Sequence, residues 1–170
     1  MANLLDFDKI VLVGCDGVGK TTIAKKLENM GYKYVKCSHS DGDNKKSLSL
    51  ALLDKMKHCD KIVFDRFYFP DDIIYSNVVA GVNTNADDWL DVYNRLVQDG
   101  YTIILLEDDF DNITHRFLNR GDDYVDVSML NNIINAYNNV LSKFDHVRIN
   151  VNDCGNVKCH EMWSGILTAQ

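Results

Sequence analysis

Eight residues near the amino terminus, Gly14-Cys15-Asp16-Gly17-Val18-Gly19-Lys20-Thr21, fill every fixed position of the pattern Gly-x-x-x-x-Gly-Lys-Ser/Thr. No other stretch constrains the chain so tightly, because the pattern works only where a strand turns abruptly into a helix. The flanks supply both. Lys9 to Val13 is a continuous β-branched and aliphatic run ending at Gly14, as a strand buried on both faces should be. A helix is predicted to start near Gly19, carry Thr22, Ile23, Ala24 and Leu27, and stop at Gly31.

The chemistry of the pattern follows from its residue types. Glycines let the backbone turn tightly and aim N–H groups inward at phosphate oxygens. The next helix presents its amino terminus, with partial positive charge and unpaired donors. Lys20 is placed to reach the β and γ phosphates, and the Thr21 hydroxyl to ligate Mg²⁺. Gly14 through Thr22 are therefore the predicted ATP-binding residues, with ATP and Mg²⁺ as cofactors.

Downstream, short apolar runs alternate with longer amphipathic ones. Strands are predicted at Tyr34 to Lys36, Lys61 to Phe64, Thr102 to Leu106 and His146 to Val151. Helices are predicted at Lys46 to His58, Asp71 to Ala80, Ala86 to Gln98, Phe110 to Asn119, Ser128 to Phe144 and Val157 to Leu167. The alternation implies an α/β fold in three layers, a five-stranded parallel sheet with helices on both faces. At 170 residues it forms a single domain over 1–170. Ligands of such sheets bind beyond the carboxyl ends of the strands. That rule brings Gly14 to Thr21, Lys36 to His39, Asp65 to Phe69 and Glu107 to Asp109 around one crevice.

Composition narrows the partners. With 46% hydrophobic and 25% charged residues the chain reads as globular, and a net charge of −7 opposes nonspecific binding to a nucleic-acid backbone. No apolar run approaches the roughly 18 residues of a membrane span. The first residues lack a basic region followed by an apolar one, so a cytoplasmic protein is expected. Five cysteines at irregular spacing fit reduced thiols, and Cys154, Cys159 and His160 lack the second half of a zinc knuckle.

Among proteins with this loop, a GTPase needs a guanine-reading Asn-Lys-x-Asp late in the chain; Asn44-Lys45 is early and runs into Lys46-Ser47. Motors and large ATPases need longer chains. A small-metabolite kinase remains. Asp65 on the crevice edge is suited to hold Mg²⁺ through water or to orient the acceptor, and Arg66 to bind an acceptor phosphate as a fork. Arg116 and Arg120, four apart, share one helix face. Among Phe67, Tyr68 and Phe69, one or two rings are placed to stack on a base, and Pro70 then fixes the chain into the next helix.

The phosphate loop with its central Asp16-Gly17 resembles that of the thymidylate kinases. Asp65-Arg66-Phe67 is similar to that family's Asp-Arg-Tyr. Glu107-Asp108-Asp109, then Arg116, then Arg120-Gly121, resembles its fourth strand and lid helix, and Arg148 to Leu167 its last strand, adenine-side loop and final helix. The resemblance implies a P-loop kinase fold with a helical lid over about 116–127, and a turn at Asn152 to Asn156 flanking adenine. It implies Arg120 as the lid cation that neutralises transition-state charge and Arg116 as an ATP contact. Lys36, Asp65, Arg66, Phe67 and Tyr68 would bind a deoxynucleoside monophosphate, with a homodimer as the family's common assembly.

Two departures leave the acceptor open. Where the family usually carries Arg-Glu-Pro-Gly-Gly after the second strand, this chain reads Lys36-Cys37-Ser38-His39-Ser40. The neighbouring deoxynucleoside kinases usually have Glu-Arg-Ser in place of Asp65-Arg66-Phe67, and a glutamate–tryptophan pair that is absent here. A deoxynucleoside monophosphate leads. A nucleoside 5′-hydroxyl, another acceptor such as a modified base in DNA, and a non-enzymatic nucleotide-binding module stand as alternatives.

Overall fold

The computed structural model describes residues 3–121 and 125–155. Five strands, β1 (Lys9–Val13), β2 (Lys33–Lys36), β3 (Ile62–Asp65), β4 (Thr102–Glu107) and β5 (Val147–Asn150), form one sheet in the order β2-β3-β1-β4-β5. Every neighbouring pair is parallel. Between them run α1 (Lys20–Asn29), α2 (Lys45–Lys55), α3 (Tyr68–Val78), α4 (Leu90–Gln98), α5 (Phe110–Arg120) and α6 (Leu130–Leu141), with a short α7 (Val151–Gly155) after β5.

Successive strand residues point to opposite faces. Ile10, Val11, Leu12 and Val13 are nonetheless all fully buried, as are Ile62, Val63 and Phe64. Both faces of the sheet are therefore covered by helices, and the three-layer α/β/α architecture follows. Burying each such aliphatic side chain contributes about 1.5–3 kcal/mol. Long crossovers satisfy the parallel pairing: from β1 the chain runs to β2 at the edge, returns to β3 beside β1, and then crosses to β4 on the other side of β1. That reversal opens the crevice at the carboxyl ends.

Several boundaries moved, for local reasons. Asp65 belongs to β3, paired in register with Leu12 and Lys36, because the ladder extends one residue past the apolar run. The helix predicted from Asp71 starts earlier, at Tyr68, and is interrupted at Phe69 (φ −105°, ψ 131°), since a residue before proline is pushed out of the α region. A 3₁₀ turn, Ala86–Trp89, precedes α4, and another, Val127–Met129, precedes α6. The predicted adenine-side turn is helical from Val151 to Gly155. Asn156, the helix predicted over Val157 to Leu167, the lid residues Asp122 and Asp123, Cys159 and His160 lie outside the described residues, as does the Cys154 side chain.

Candidate functional site

A cavity of about 730 Å³ opens at the carboxyl ends of the strands. The phosphate loop forms its floor, and β2, β3 and their following segments one wall. Part of α3, the start of α2 at Lys45, the end of α5 and Val125 supply the rest.

Two glycines of the loop are required by close approach. Gly14 has φ +148°, and a Cβ there would come within 2.9 Å of the Leu106 carbonyl. Gly17 has φ +85°, and its Cβ would meet the Ile113 carbonyl at 2.7 Å and the Phe117 amide at 3.2 Å. The loop is thus seated directly on the α5 backbone. Cys15 and Val18 turn their side chains into the core, so those positions face a ligand through backbone alone.

Lys20 is buried and donates from Nζ to the Gly14 carbonyl at 2.6 Å and the Cys15 carbonyl at 2.9 Å. Burial, with Arg66 close by, lowers its pKa to about 8. Burial raises the Cys15 thiol to about 11 and Cys37 to about 12, so both stay protonated at neutral pH and serve as core groups.

Thr21, on the first turn of α1, donates from Oγ1 to Asp65 Oδ2 at 2.7 Å, and the Tyr34 hydroxyl donates to the same oxygen at 2.7 Å. Sheet register explains the meeting: β3 lies beside both β1, which feeds the loop, and β2, which carries Tyr34. A hydroxyl and a carboxylate side by side are hard oxygen donors, the set Mg²⁺ prefers when it keeps waters and substrate phosphates as its other ligands. Thr21 and Asp65 fit that ion.

Among the described residues, Arg66 is the non-glycine residue with positive φ (68°), an uncommon conformation for a long side chain. Its Nη2 meets Asp16 Oδ1 at 2.5 Å; Nη1 reaches Asp71 Oδ2 at 3.1 Å and the Tyr75 hydroxyl at 3.0 Å. Tyr75 donates to Asp16 Oδ2 at 2.7 Å, and Tyr137 to Asp71 Oδ1 at 2.7 Å. Burial by itself would raise the Asp16 pKa, but Arg66 and Lys20 hold it below the ordinary value. For Asp71 burial outweighs Arg66, and its pKa is raised. The sequence predicts that Arg66 binds an acceptor phosphate as a fork; in this structure both of its Nη atoms are engaged, by Asp71 and by Asp16, because β3 ends against the loop and α3 returns across it.

The remaining predicted residues divide. Lys36 is exposed at the end of β2 and borders the cavity, as do Thr22 and Tyr68. Phe67 backs the wall, but its ring is fully buried against Phe64 and Tyr68, so it offers no free stacking face as it stands. Phe69 packs in the core against Trp89, Tyr93 and Phe144. Arg116 donates from Nε to the Gly17 carbonyl at 2.6 Å and pairs with Asp108. Its present role is to clamp α5 to the loop. Arg120, half exposed at the end of α5, borders the cavity 3.8 Å from Asp16.

Tyr34, Asp71, Tyr75 and Tyr137 were not singled out by the sequence as site residues. They hold no motif position, and only the packing of β2, α3 and α6 brings their polar atoms to the loop.

No family profile and no curated protein sequence matches this chain. Solved structures do. The YorR protein of Bacillus subtilis, in complex with phosphorylated GDP, superposes with a TM-score of 0.60 at 22% identity, covering 94% of each chain. Deoxyadenosine kinase from M. mycoides with bound dATP gives 0.60 at 19% identity, over 94% of this chain and 99% of that one. A gluconokinase from Sinorhizobium meliloti 1021 gives 0.51 at 13% identity, over 84% and 82%. At these identities the likeness establishes architecture, and the chain has the P-loop kinase fold.

Proposed function

We propose that this protein is an ATP-dependent nucleotide kinase that transfers the γ-phosphoryl group to a deoxynucleoside monophosphate. The observation that carries the reading is the charge of the cavity. Lys20, Lys36, Lys45, Arg66, Arg116 and Arg120 border it, against Asp16, Asp65, Asp71 and Asp72, among the described residues. The whole chain has the opposite balance, 18 basic to 25 acidic residues. Excess cations concentrated in one cavity of an acidic protein suit a pair of phosphorylated ligands.

Phosphoryl transfer demands positioning and cancellation of charge more than covalent chemistry. Lys20 would leave the loop carbonyls for the β and γ phosphates. Thr21 and Asp65 would hold Mg²⁺, which when bound neutralises charge between those phosphates. Arg120, exposed on the cavity rim, is the residue we assign to the charge on the transferring group. Lys36 would orient the acceptor phosphate, with Arg66 joining it by exchanging a carboxylate partner for the phosphate, and Tyr68 would lie beside the base.

A nucleoside acceptor, the second reading, is favoured by the deoxyadenosine kinase likeness. It asks for a free carboxylate base near the 5′-hydroxyl. Asp65 is already shared by Thr21 and Tyr34, and Asp16 and Asp71 are engaged by Arg66, which leaves Asp72 as the cavity carboxylate that such a reading would need as its base. The thymidylate kinase resemblance makes dTMP the first acceptor to test, a homodimer the assembly to look for by light scattering, and the cytoplasm the expected location.

The test is an acceptor screen with ATP and Mg²⁺ over all nucleosides and their monophosphates at equal concentration. Faster phosphorylation of free nucleosides would reject the monophosphate reading. ATP binding with no transfer to any acceptor would leave a nucleotide-binding module.

A further inference from the structure

The Tyr34 hydroxyl lies outside every motif, on an edge strand, yet it ends 2.7 Å from Asp65 Oδ2. We infer that Tyr34 is the positioning residue that orients the Asp65 carboxylate for the divalent metal, an inference that rests on the metal-dependent kinase reading above.

The hydrogen-bond accounting supports it. Asp65 is 1% exposed, and Oδ2 accepts two hydroxyls, from Thr21 and Tyr34, at 2.7 Å each. Two donors fill the two lone-pair sites of a carboxylate oxygen. Oδ1 accepts no hydrogen bond from the described residues and is the oxygen left for an ion or its water. The Thr21 proton is spent on Asp65 as well, so the lone pairs of Oγ1 are the part of Thr21 left for a metal. One carboxylate oxygen thus sets the direction of two prospective ligands.

Tyr34 is what keeps that oxygen in place. Thr21 belongs to the phosphate-loop helix, whose first turn faces the nucleotide. Tyr34 belongs to β2, whose register with β3 fixes it relative to Asp65 (Tyr34 opposite Val63, Lys36 opposite Asp65). The sheet therefore supplies a rigid third point. Groups that orient a ligand from behind commonly change metal affinity or activity by about 10–100-fold when removed.

The experiment compares parent and Tyr34→Phe, which deletes one oxygen and keeps the ring. Mn²⁺ binding is titrated by electron paramagnetic resonance on each protein with a non-hydrolysable ATP analogue, and analogue binding is measured separately in EDTA. Tyr34→Phe should bind Mn²⁺ at least about tenfold more weakly. Metal-free nucleotide binding should not change. The Mg²⁺ concentration for half-maximal rate should rise in step while the KM for the acceptor holds. Equal Mn²⁺ affinity in the two proteins overturns the role of Tyr34 and leaves the kinase reading intact. A parent that binds the analogue but takes up no Mn²⁺ overturns both. If analogue binding in EDTA falls by the same factor as Mn²⁺ binding, Tyr34 shapes the loop generally and the inference is likewise overturned.

Discussion

Arg66 and Asp16 meet at 2.5 Å, joining the end of β3 to the centre of the phosphate loop across 50 positions of sequence. The same guanidinium holds Asp71, so a single cation offsets two largely buried carboxylates. Removing the cation leaves both unpaired. Arg66→Met should cost about 3–5 kcal/mol in urea unfolding. Arg66→Lys, which keeps charge but loses the fork, should fall between. The double variant Asp16→Asn/Arg66→Met should cost less than the two single changes together, since each already breaks the same pair. Where Arg66→Lys stays folded, the KM for a monophosphate should rise far more than the KM for ATP. Unchanged unfolding of Arg66→Met would mean that the network does not hold the loop.

Lys20→Ala should abolish transfer in a folded protein. Its Nζ now caps two loop carbonyls, and in turnover it would bridge the β and γ phosphates. The check is turnover beside a near-parental circular dichroism spectrum. Near-normal turnover by folded Lys20→Ala would reject the kinase assignment.

The same lysine predicts a pH dependence. Burial holds its pKa in the folded protein near 8, against an ordinary value of 10.5. Between those values the unfolded chain binds the proton that the folded chain has lost, so the Lys20 contribution to stability rises with pH across that window. Below about pH 8 the cost of the buried ammonium is fully present. The stability advantage of Lys20→Met over the parent should therefore be largest at neutral pH and shrink toward pH 10. Denaturant titrations of both proteins at several pH values measure it; an advantage that grows with pH would contradict it. In turnover, kcat/KM for ATP should decline above about pH 8, because that ratio reports the free enzyme.

Arg120→Ala should lower kcat by about 10³-fold if this residue acts as an arginine finger. It is half exposed at the end of α5, so stability and ATP affinity should change little. Steady-state kinetics with a thermal melt separate the two. A fully active Arg120→Ala together with an inactive Arg116→Ala would move the role to Arg116.

Gly17→Ala should destabilise by more than about 1–2 kcal/mol, the cost of left-handed backbone for a residue with a Cβ. The excess comes from the new methyl, which would sit 2.7 Å from the Ile113 carbonyl in the helix beneath. Relief of that clash must move α5 and carry Arg116 and Arg120 with it, so kcat should drop as well. Parental stability in Gly17→Ala would show that α5 yields easily.

The phosphate loop, the parallel α/β layers and the crevice at the strand ends were legible in the chain itself. They depend on local signals: glycines where the backbone must turn, a β-rich run before them, an amphipathic repeat after them. Each acts within a few residues, so a linear reading captures it. What Arg66 and Tyr34 do was not legible, because hydrogen bonds spanning 50 and 31 residues are fixed by sheet register and helix return, not by neighbours in sequence. The sequence determined that Lys20, Thr21 and Asp65 would lie at one crevice. Only the tertiary structure decided that Asp65 faces two hydroxyls, that Arg66 is held by Asp16 and Asp71, and that Phe67 is sealed in the core. A buried polar atom takes whichever partner the packing brings within about 3 Å, and packing is a property of the whole fold.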